Sequence, residues 1–412
     1  MGWLGLDDTD SLAGGCTTWD MHLLLSEIEV SAVVGGWRLS GPPRLVRLWP
    51  HAPRRTRGNA ALAAYIEVDD DSLEEFNALL DDWFERRFGH LRGQPQRTDG
   101  QDSAPVLVHS LASLPEDWYW SAVQGLVDVA GRLRELEGIE GVSVWSVTRM
   151  DGVVGASSAI AWPASDDWTW EATAWRQEEA IGSVRGVPET AVEKMASRFP
   201  DTILNRDPNA GRSMITPRTP CPVLYGIRSE SLDQAAAAHT WLQNQPNVEQ
   251  AIACRVHQTN QATGDHLLGI YSGVLIEQVR SGRRGHASGR VRTATGSDVL
   301  VAFAEGGPVN RLFRSAEVGD RLNWAGLASP DGSVHLEQLQ LGEAGVRELS
   351  RPVCGCGGRF RRKGRGQPLS CRLCGSSQRS HWVGHIGETS DWVEPPPSQR
   401  RHLARPLARR PR

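Results

Sequence analysis

The sequence predicts a multidomain α+β protein whose later part holds a small β-barrel of OB type and a zinc ribbon. Three observations carry this. At 412 residues the chain exceeds the size at which one hydrophobic core keeps growing, so three or four domains are expected. Between Gly269 and Leu341 five short alternating segments, "SGVLIEQV", "SGRVRTAT", "DVLVAFA", "DRLNWAGLA" and "VHLEQLQL", are broken by glycine turns. Four of the 7 cysteines lie between Cys354 and Cys374, and an odd total argues against a disulfide framework.

Taken in order, Gly2–Leu6 reads as a short buried strand and Asp7–Gly15 as a glycine-rich loop. Thr17–Glu29 follows as a helix with its N-cap near Cys16 or Thr17 and with Trp19, Leu23, Leu24 and Ile28 on one face. "RLVRLWP" and "AALAAYIEV" read as strands flanking the loop "HAPRRTRGN", residues 71–88 as a helix, and "GQPQRTDGQDSAP" as a linker. A second α/β unit is expected to about residue 200. "CPVLYGIR" and "SESLDQAAAAHTWLQ" then give a strand, a serine-capped turn and a helix, a βαβ unit reaching about Leu268.

Composition narrows the function classes. Charged residues make up 23% and apolar ones 39%, as in folded globular domains. No apolar run approaches the ~18 residues of a membrane helix and no signal-peptide pattern is present, so a cytoplasmic chain without a membrane or an obligate protein partner is expected. Net charge is −4, but residues 351–412 hold fourteen Lys and Arg against three acids. A basic end on an acidic body points to nucleic acid. Of the 45 basic residues only Lys194 and Lys363 are lysine, so phosphate contacts fall to arginine, which binds phosphate bidentately. No G-x-x-x-x-G-K-[ST] occurs, which excludes a Walker P-loop.

Three constellations carry chemistry. Cys354 and Cys356 with Cys371 and Cys374 form two knuckles able to saturate Zn²⁺ with four thiolates, a structural site. Arg359, Arg361, Arg362, Lys363 and Arg365 between them make a basic fingertip, either a solvated face or a phosphate contact. Arg280, Arg283, Arg284, Arg290 and Arg292 give the barrel a basic face suited to single-stranded or loop nucleic acid, although such barrels also serve as spacers. In "GLDDTDSLAGGCTTWD", Asp7, Asp8 and Asp10 offer the hard oxygens that Mg²⁺ takes beside a nucleotide polyphosphate. Thr17 at a helix N-terminus meets the positive end of the dipole, where a phosphate is held and a hydroxyl can accept a phosphoryl group. A polar capping turn is the alternative. Arg54, Arg55 and Arg57 in "RRTRGN", ending in Gly58 and Asn59, can supply countercharge to a triphosphate or form a surface turn.

"GLDDTDSLAGGCTTWD", "RRTRGN", "DGVVGASSAIAW", "TWEATAWR", "TPCPVLYGIRSES", the barrel, the four-cysteine ribbon and "PPPSQRRHLARPL" occur in the order seen in the archaeal tRNA isoleucine 2-agmatinylcytidine synthetase family, which the chain resembles over nearly its whole length. The resemblance implies a kinase-like N-terminal region (1–200), a ferredoxin-like domain (201–268), an OB fold (269–348), a zinc ribbon (349–378) and a basic tail (379–412). It implies an ATP-dependent ligase that joins agmatine to the wobble cytidine of the CAU-anticodon isoleucine tRNA, using ATP, Mg²⁺ and structural zinc. Asp7, Asp8 and Asp10 would hold Mg²⁺ on ATP, and Thr17, with Thr18 beside it, would be the phosphoryl acceptor. Arg55, Arg57, Gly58 and Asn59 would bind ATP, while Gly152 and Gly155 would flank agmatine. The family's T-x-D-N-x-D appears here as "TILNRD", so Leu204 stands where an aspartate is expected and Asp207 remains to pair the guanidinium. Arg280, Arg283, Arg284, Arg361, Arg362, Lys363, Arg400, Arg401 and His402 would contact the tRNA, and Trp324 and Trp382 are candidates for base stacking. The competing expectations are a non-enzymatic single-strand-binding protein, which would have no use for ATP, and another RNA-dependent phosphoryl or nucleotidyl transferase.

Overall fold

The computed structural model describes residues 1–11, 14–53, 58–94, 102–165 and 167–410. It is a mixed α/β structure with several sheets. The chain divides into two compact units, Met1–Leu268 with Pro396–Arg412, and Gly269–Pro395.

The first unit is built on β1 (Gly2–Asp7), β2 (Trp37–Leu39), β3 (Arg44–Arg47), β4 (Ala60–Val68), β5 (Val106–Ser110), β6 (Val142–Ser146), β7 (Thr169–Trp175), β8 (Arg206–Asp207), β9 (Arg212–Ser213), β10 (Val223–Ser229) and β11 (Ala253–Thr259). The order β10-β7-β11-β3-β4-β1-β5-β6, with β2 on β4, makes one nine-stranded sheet, and β8 and β9 form a separate hairpin. The sheet is continuous across residue 200, since β7 lies between β10 and β11 and is antiparallel to both. The expected βαβ unit is therefore a split one, with β7 filling the gap between its two strands.

Helices α1 (Thr17–Gly35), α2 (Leu73–Phe88), α3 (Asp117–Gln124), α4 (Val129–Glu137), α5 (Gly152–Ala161), α6 (Glu189–Arg198) and α7 (Leu232–Gln243) cover the faces. One core joins Met21, Leu24, Leu25 and Ile28 of α1 and Phe76, Leu80 and Phe84 of α2 to Leu4, Leu6, Leu62 and Ile66 of the sheet. Another packs α5 and α3 against Ala61, Ala63, Val106 and Val108. The buried positions of α1 follow helical spacing, but its last turns, with Val30, Val33 and Val34, are exposed. The sequence expectation stopped at Glu29 because the amphipathic pattern ends there.

The closing segment is not a loose tail. Leu403 is buried in the α3–α5 core, and Ala262 N and Gly264 N donate to His402 O and Leu403 O, both at 2.8 Å. Arg405 and Arg409 bridge to Asp167, and Arg409 also to Glu230.

In the second unit β12 (Tyr271–Leu275), β13 (Arg280–Ser281), β14 (Ala287–Arg292), β15 (Ser297–Ala302), β16 (Arg321–Ala328) and β17 (Ser333–Glu343) pair in the order β12-β16-β17-β15-β14-β13. A β12–β14 pairing closes five of them into a barrel, with β15 and β17 parallel. Helix α8 (Pro308–Ser315) joins β15 to β16 and buries Phe313. Trp324 is 1% exposed and belongs to the barrel core, which corrects its expected role as a base-stacking surface. The exposed ring is Tyr271, stacked on Trp324 with centroids 6.2 Å apart. Strands β18 (Val346–Ser350) and β22 (Val383–Ile386) pair with each other, and β19 (Phe360–Arg362), β20 (Leu369–Cys371) and β21 (Ser377–Gln378) carry the cysteine knuckles.

Candidate active site

Strand β1 delivers the acids. Leu4 and Leu6 are fully buried, and the strand ends at Asp7 in the middle of the sheet, so "DDTD" leaves the sheet edge as a loop. Asp8 takes a left-handed φ of 57°, a conformation aspartate tolerates better than most side chains. The floor beneath the loop is glycine. A Cβ on Gly155 of α5 would lie 1.8 Å from Asp7 Oδ2, and one on Gly152 would lie 3.1 Å from Asp8 Cβ. Glycine alone lets α5 approach the acids this closely.

Asp7, Asp8, Asp10, Thr17, Thr18, Asn59, Gly152 and Gly155 line one cavity of about 660 Å³, inside the ~300–1,000 Å³ range of small-molecule sites. The two threonines at the start of α1 are held differently. Thr17 Oγ1 lies 3.4 Å from Asp10 Oδ1 and 3.3 Å from Thr9 Oγ1. Thr18 Oγ1 accepts from Trp175 Nε1 at 3.2 Å and lies 3.1 Å from Cys16 Sγ. Burial pushes the Cys16 thiol up to about 12, so it stays protonated at neutral pH and is no nucleophile.

The facing wall was not anticipated from the sequence. Along β7 Ala172 and Ala174 enter the hydrophobic core, while Thr169, Glu171 and Thr173 are buried on the other face, and Glu171 and Thr173 line the cavity. Glu171 accepts from Gln261 Nε2 and lies 3.8 Å from Arg228 Nε. Because that amide donates to a carboxylate, Gln261 Oε1 faces Arg228 Nε at 3.1 Å and His402 Nδ1 at 3.2 Å. Burial raises the Glu171 carboxyl, but Arg228 and Arg47 outweigh it and hold the group below its usual range. The Arg47 side chain is half-buried, its affinity for its proton is lowered by that burial, and among the described residues its Nε has no hydrogen-bond partner. Arg47 beside it, then burial and Arg228, keep His402 neutral.

The remaining expected site residues separate. Gly58, at φ 117°, packs under Arg47 and the His402 ring. Arg55 and Arg57 lie outside the described residues. Arg400, Arg401 and His402, expected on a tRNA surface, line the cavity with the aspartates. Asp207, expected to meet agmatine, is 1% exposed and is not among the lining residues, whereas Leu204 is. Its carboxylate accepts from the backbone of Asn209, Ala210 and Ser398 at 3.0, 3.2 and 3.2 Å. Burial raises its pKa, but these donors outweigh that and leave it lowered.

In the second unit the Sγ atoms of Cys354, Cys356, Cys371 and Cys374 all lie within 4.8 Å of one another. Tetrahedral Zn–S bonds of about 2.3 Å place sulfurs roughly 3.8 Å apart, so the cluster fits zinc. The Cys354 thiol is lowered to about 6, chiefly by the backbone N–H of Cys356 and then Ser376, as a thiolate ligand requires. Among the described residues these cysteines are the set of three or more such side chains placed to hold a metal. The three aspartates do not converge in that way. Arg280, Arg283, Arg284, Arg361, Arg362 and Lys363 are all exposed. Arg351 lies over the exposed Trp382 ring at 3.9 Å. No helix is long and apolar enough to cross a membrane.

Two family models match, the TiaS TCKD domain over residues 3–148 and the TiaS FLD domain over residues 151–266. The chain is 32% identical to the isoleucine-tRNA 2-agmatinylcytidine synthetase TiaS of Methanopyrus kandleri, over 98% of this chain and 96% of that protein. It is 29% identical to the Archaeoglobus fulgidus enzyme of the same name, over 99% and 97%. Among solved structures, a complex of TiaS with its isoleucine tRNA and ATP superposes with a TM-score of 0.81 at 28% identity, over 100% of this chain and 97% of that one. A complex of TiaS with the same tRNA, AMPCPP and agmatine superposes with 0.80 at 26%, over 99% and 97%. On these matches, which run from the acidic loop to the closing strap, the chain belongs to the isoleucine-tRNA 2-agmatinylcytidine synthetase family.

Proposed function

We propose that this chain joins agmatine to the wobble cytidine of the CAU-anticodon isoleucine tRNA, with ATP as the energy source. One observation carries the reading: three aspartates and a threonine line the same cavity as the half-buried arginines Arg47 and Arg228. Phosphoryl transfer needs these parts, because its catalysis is mainly positioning and charge stabilisation. The relatives whose structures hold the isoleucine tRNA with ATP, or with AMPCPP and agmatine, support the same assignment.

In this reading the ATP phosphates lie against the N-terminus of α1, with Arg47, Arg228 and the loop bearing Arg55, Arg57, Gly58 and Asn59 as countercharge. Asp7, Asp8 and Asp10 would hold Mg²⁺, which neutralises phosphate charge when bound; one or two carboxylates with substrate oxygens suffice for it. Thr17, hydrogen-bonded to Asp10, accepts the phosphoryl group, and Thr18 is the neighbour fixed by Trp175. A second phosphoryl transfer from ATP, to the cytidine carbonyl oxygen, makes that oxygen a leaving group; agmatine's primary amine attacks the ring carbon and gives up a proton as the oxygen departs with phosphate. Gly152 and Gly155 keep the agmatine end open beside Asp7. Asp207 shapes that end through Ser398, a lining residue, instead of by direct contact.

The domain reading is kinase-like, ferredoxin-like, OB fold and zinc ribbon, in that order. Its first limit is better drawn near residue 150 than at 200, because β7 pairs with β10 and β11. The closed five-stranded barrel with parallel β15 and β17 supports the OB fold, and the four thiolates on β19–β21 would hold zinc as a structural staple. Arg280, Arg283, Arg284, Arg361, Arg362 and Lys363 would contact tRNA phosphates. The test is ATP consumption with each substrate omitted in turn. Turnover should require both agmatine and the CAU transcript, whereas a single-strand-binding protein would consume none.

A further inference from the structure

Behind Thr17 lies a chain of side chains that the reaction above does not use. Thr9, 5% exposed in the loop after β1, places Oγ1 2.5 Å from Asp20 Oδ2 and 3.3 Å from Thr17 Oγ1. Asp20 sits one turn into α1, 1% exposed, and its other oxygen accepts from Arg87 Nε and Nη2 of α2 at 2.8 and 2.5 Å. Arg87 is 41% exposed, so this chain runs from the surface of α2 to the cavity.

Counting protons fixes its direction. An ionised carboxylate only accepts, and a hydroxyl has one proton. Thr9 therefore gives its proton to the hydrogen bond with Asp20, the shorter of its two contacts, and has none left to give Thr17. The Thr17 hydroxyl then keeps its proton for Asp10 Oδ1, the acceptor 3.4 Å behind it, which leaves an oxygen lone pair to face the cavity. Without the acceptor at position 20, Thr9 could donate to Thr17 and occupy the electrons that must attack phosphorus.

We infer that Asp20, clamped by Arg87, is a positioning residue that sets the direction of hydrogen bonding along Thr9, Thr17 and Asp10, so that Thr17 presents a lone pair to the phosphoryl group. The inference rests on Thr17 being the acceptor in the proposed function. In the step it serves, the Thr17 oxygen forms the bond to phosphorus, the bond to the bridging oxygen of ATP breaks, and the Thr17 proton passes to the Asp10 carboxylate.

The test compares the full-length protein with Thr9→Val, Thr9→Ser and Asp20→Asn, measuring agmatidine formation, ATP turnover and phosphate on Thr17 by mass spectrometry. Thr9→Val, nearly isosteric, should lower kcat about 10- to 100-fold, the scale of a misoriented reacting group, with KM for ATP, agmatine and tRNA within about twofold. Thr9→Ser, which keeps the hydroxyl, should restore kcat to within about threefold, and Asp20→Asn should resemble Thr9→Val. Thr17 phosphorylation equal in wild type and Thr9→Val overturns the inference, as does a serine variant no better than the valine. A wild type that phosphorylates Thr17 but makes no agmatidine overturns the proposed reaction and leaves the relay standing. A wild type that never phosphorylates Thr17 overturns the relay.

Discussion

At the scale of single residues, the close approach of Gly155 to Asp7 makes a sharp prediction. Gly155→Ala would drive a methyl group into the Asp7 carboxylate, so Asp7 or α5 must move. We expect ATP turnover to fall at least about 100-fold, with a stability loss of about 1–3 kcal/mol from overpacking, read by kinetics and denaturant unfolding. Asp8→Asn preserves shape and tolerance of a positive φ while removing charge. It should abolish ATP turnover and leave tRNA affinity within about twofold in a filter-binding assay, because the tRNA contacts are proposed mainly for the second unit. The acids and threonines of this cavity were legible because they cluster in one short motif, whereas Gly152 and Gly155 entered only through the family resemblance. Asp20, Arg47 and Arg228 were not, since each acquires its meaning from a partner far away in sequence.

At the scale of elements, β7 shows what period two reveals in hindsight. "TWEATAW" alternates buried polar Thr169, Glu171 and Thr173 with Ala172 and Ala174 of the core, a pattern that marks a strand with a polar site on one face. The closing strap shows the opposite case. It reads as a basic tail with tRNA contacts at Arg400, Arg401 and His402, and only the fold brings Asp167 and Glu230 to its Arg405 and Arg409. The cysteine knuckles and barrel strands were legible because their signals are local. For that ribbon we predict that Cys371→Ser lowers bound zinc from about one per chain toward none, measured by metal analysis, and weakens tRNA binding about tenfold or more, while ATP turnover at saturating tRNA and agmatine changes far less.

At the scale of the whole molecule, the strand order of the large sheet was beyond sequence reading. Its neighbours β11 and β3 are parallel and come from opposite ends of the first unit's sequence. Burial within that unit has a further consequence for pH. His109 and His257, 1% and 0% exposed, are pushed down to about 4 by burial. The unfolded chain binds these protons near pH 6.5 and the folded chain does not, so stability is lost as pH falls from about 6.5 toward 4. The slope is up to about 1.4 kcal/mol per pH unit for each fully buried imidazole. Asp20 and Asp265, raised by burial, act in the opposite sense and reduce the sum. The melting temperature should therefore fall between pH 7 and pH 5 in calorimetry; an unchanged or rising midpoint would contradict this balance.

The most direct test of the central claim, that the acidic cavity powers agmatine transfer to a tRNA base, is mass spectrometry of the wobble nucleoside. A CAU-anticodon isoleucine tRNA transcript is incubated with the protein, ATP, Mg²⁺ and agmatine. The account predicts a cytidine heavier by agmatine minus water, formed despite Leu204 in "TILNRD". A cytidine unchanged while ATP is consumed would contradict it and point to a different amine or RNA for the same cavity.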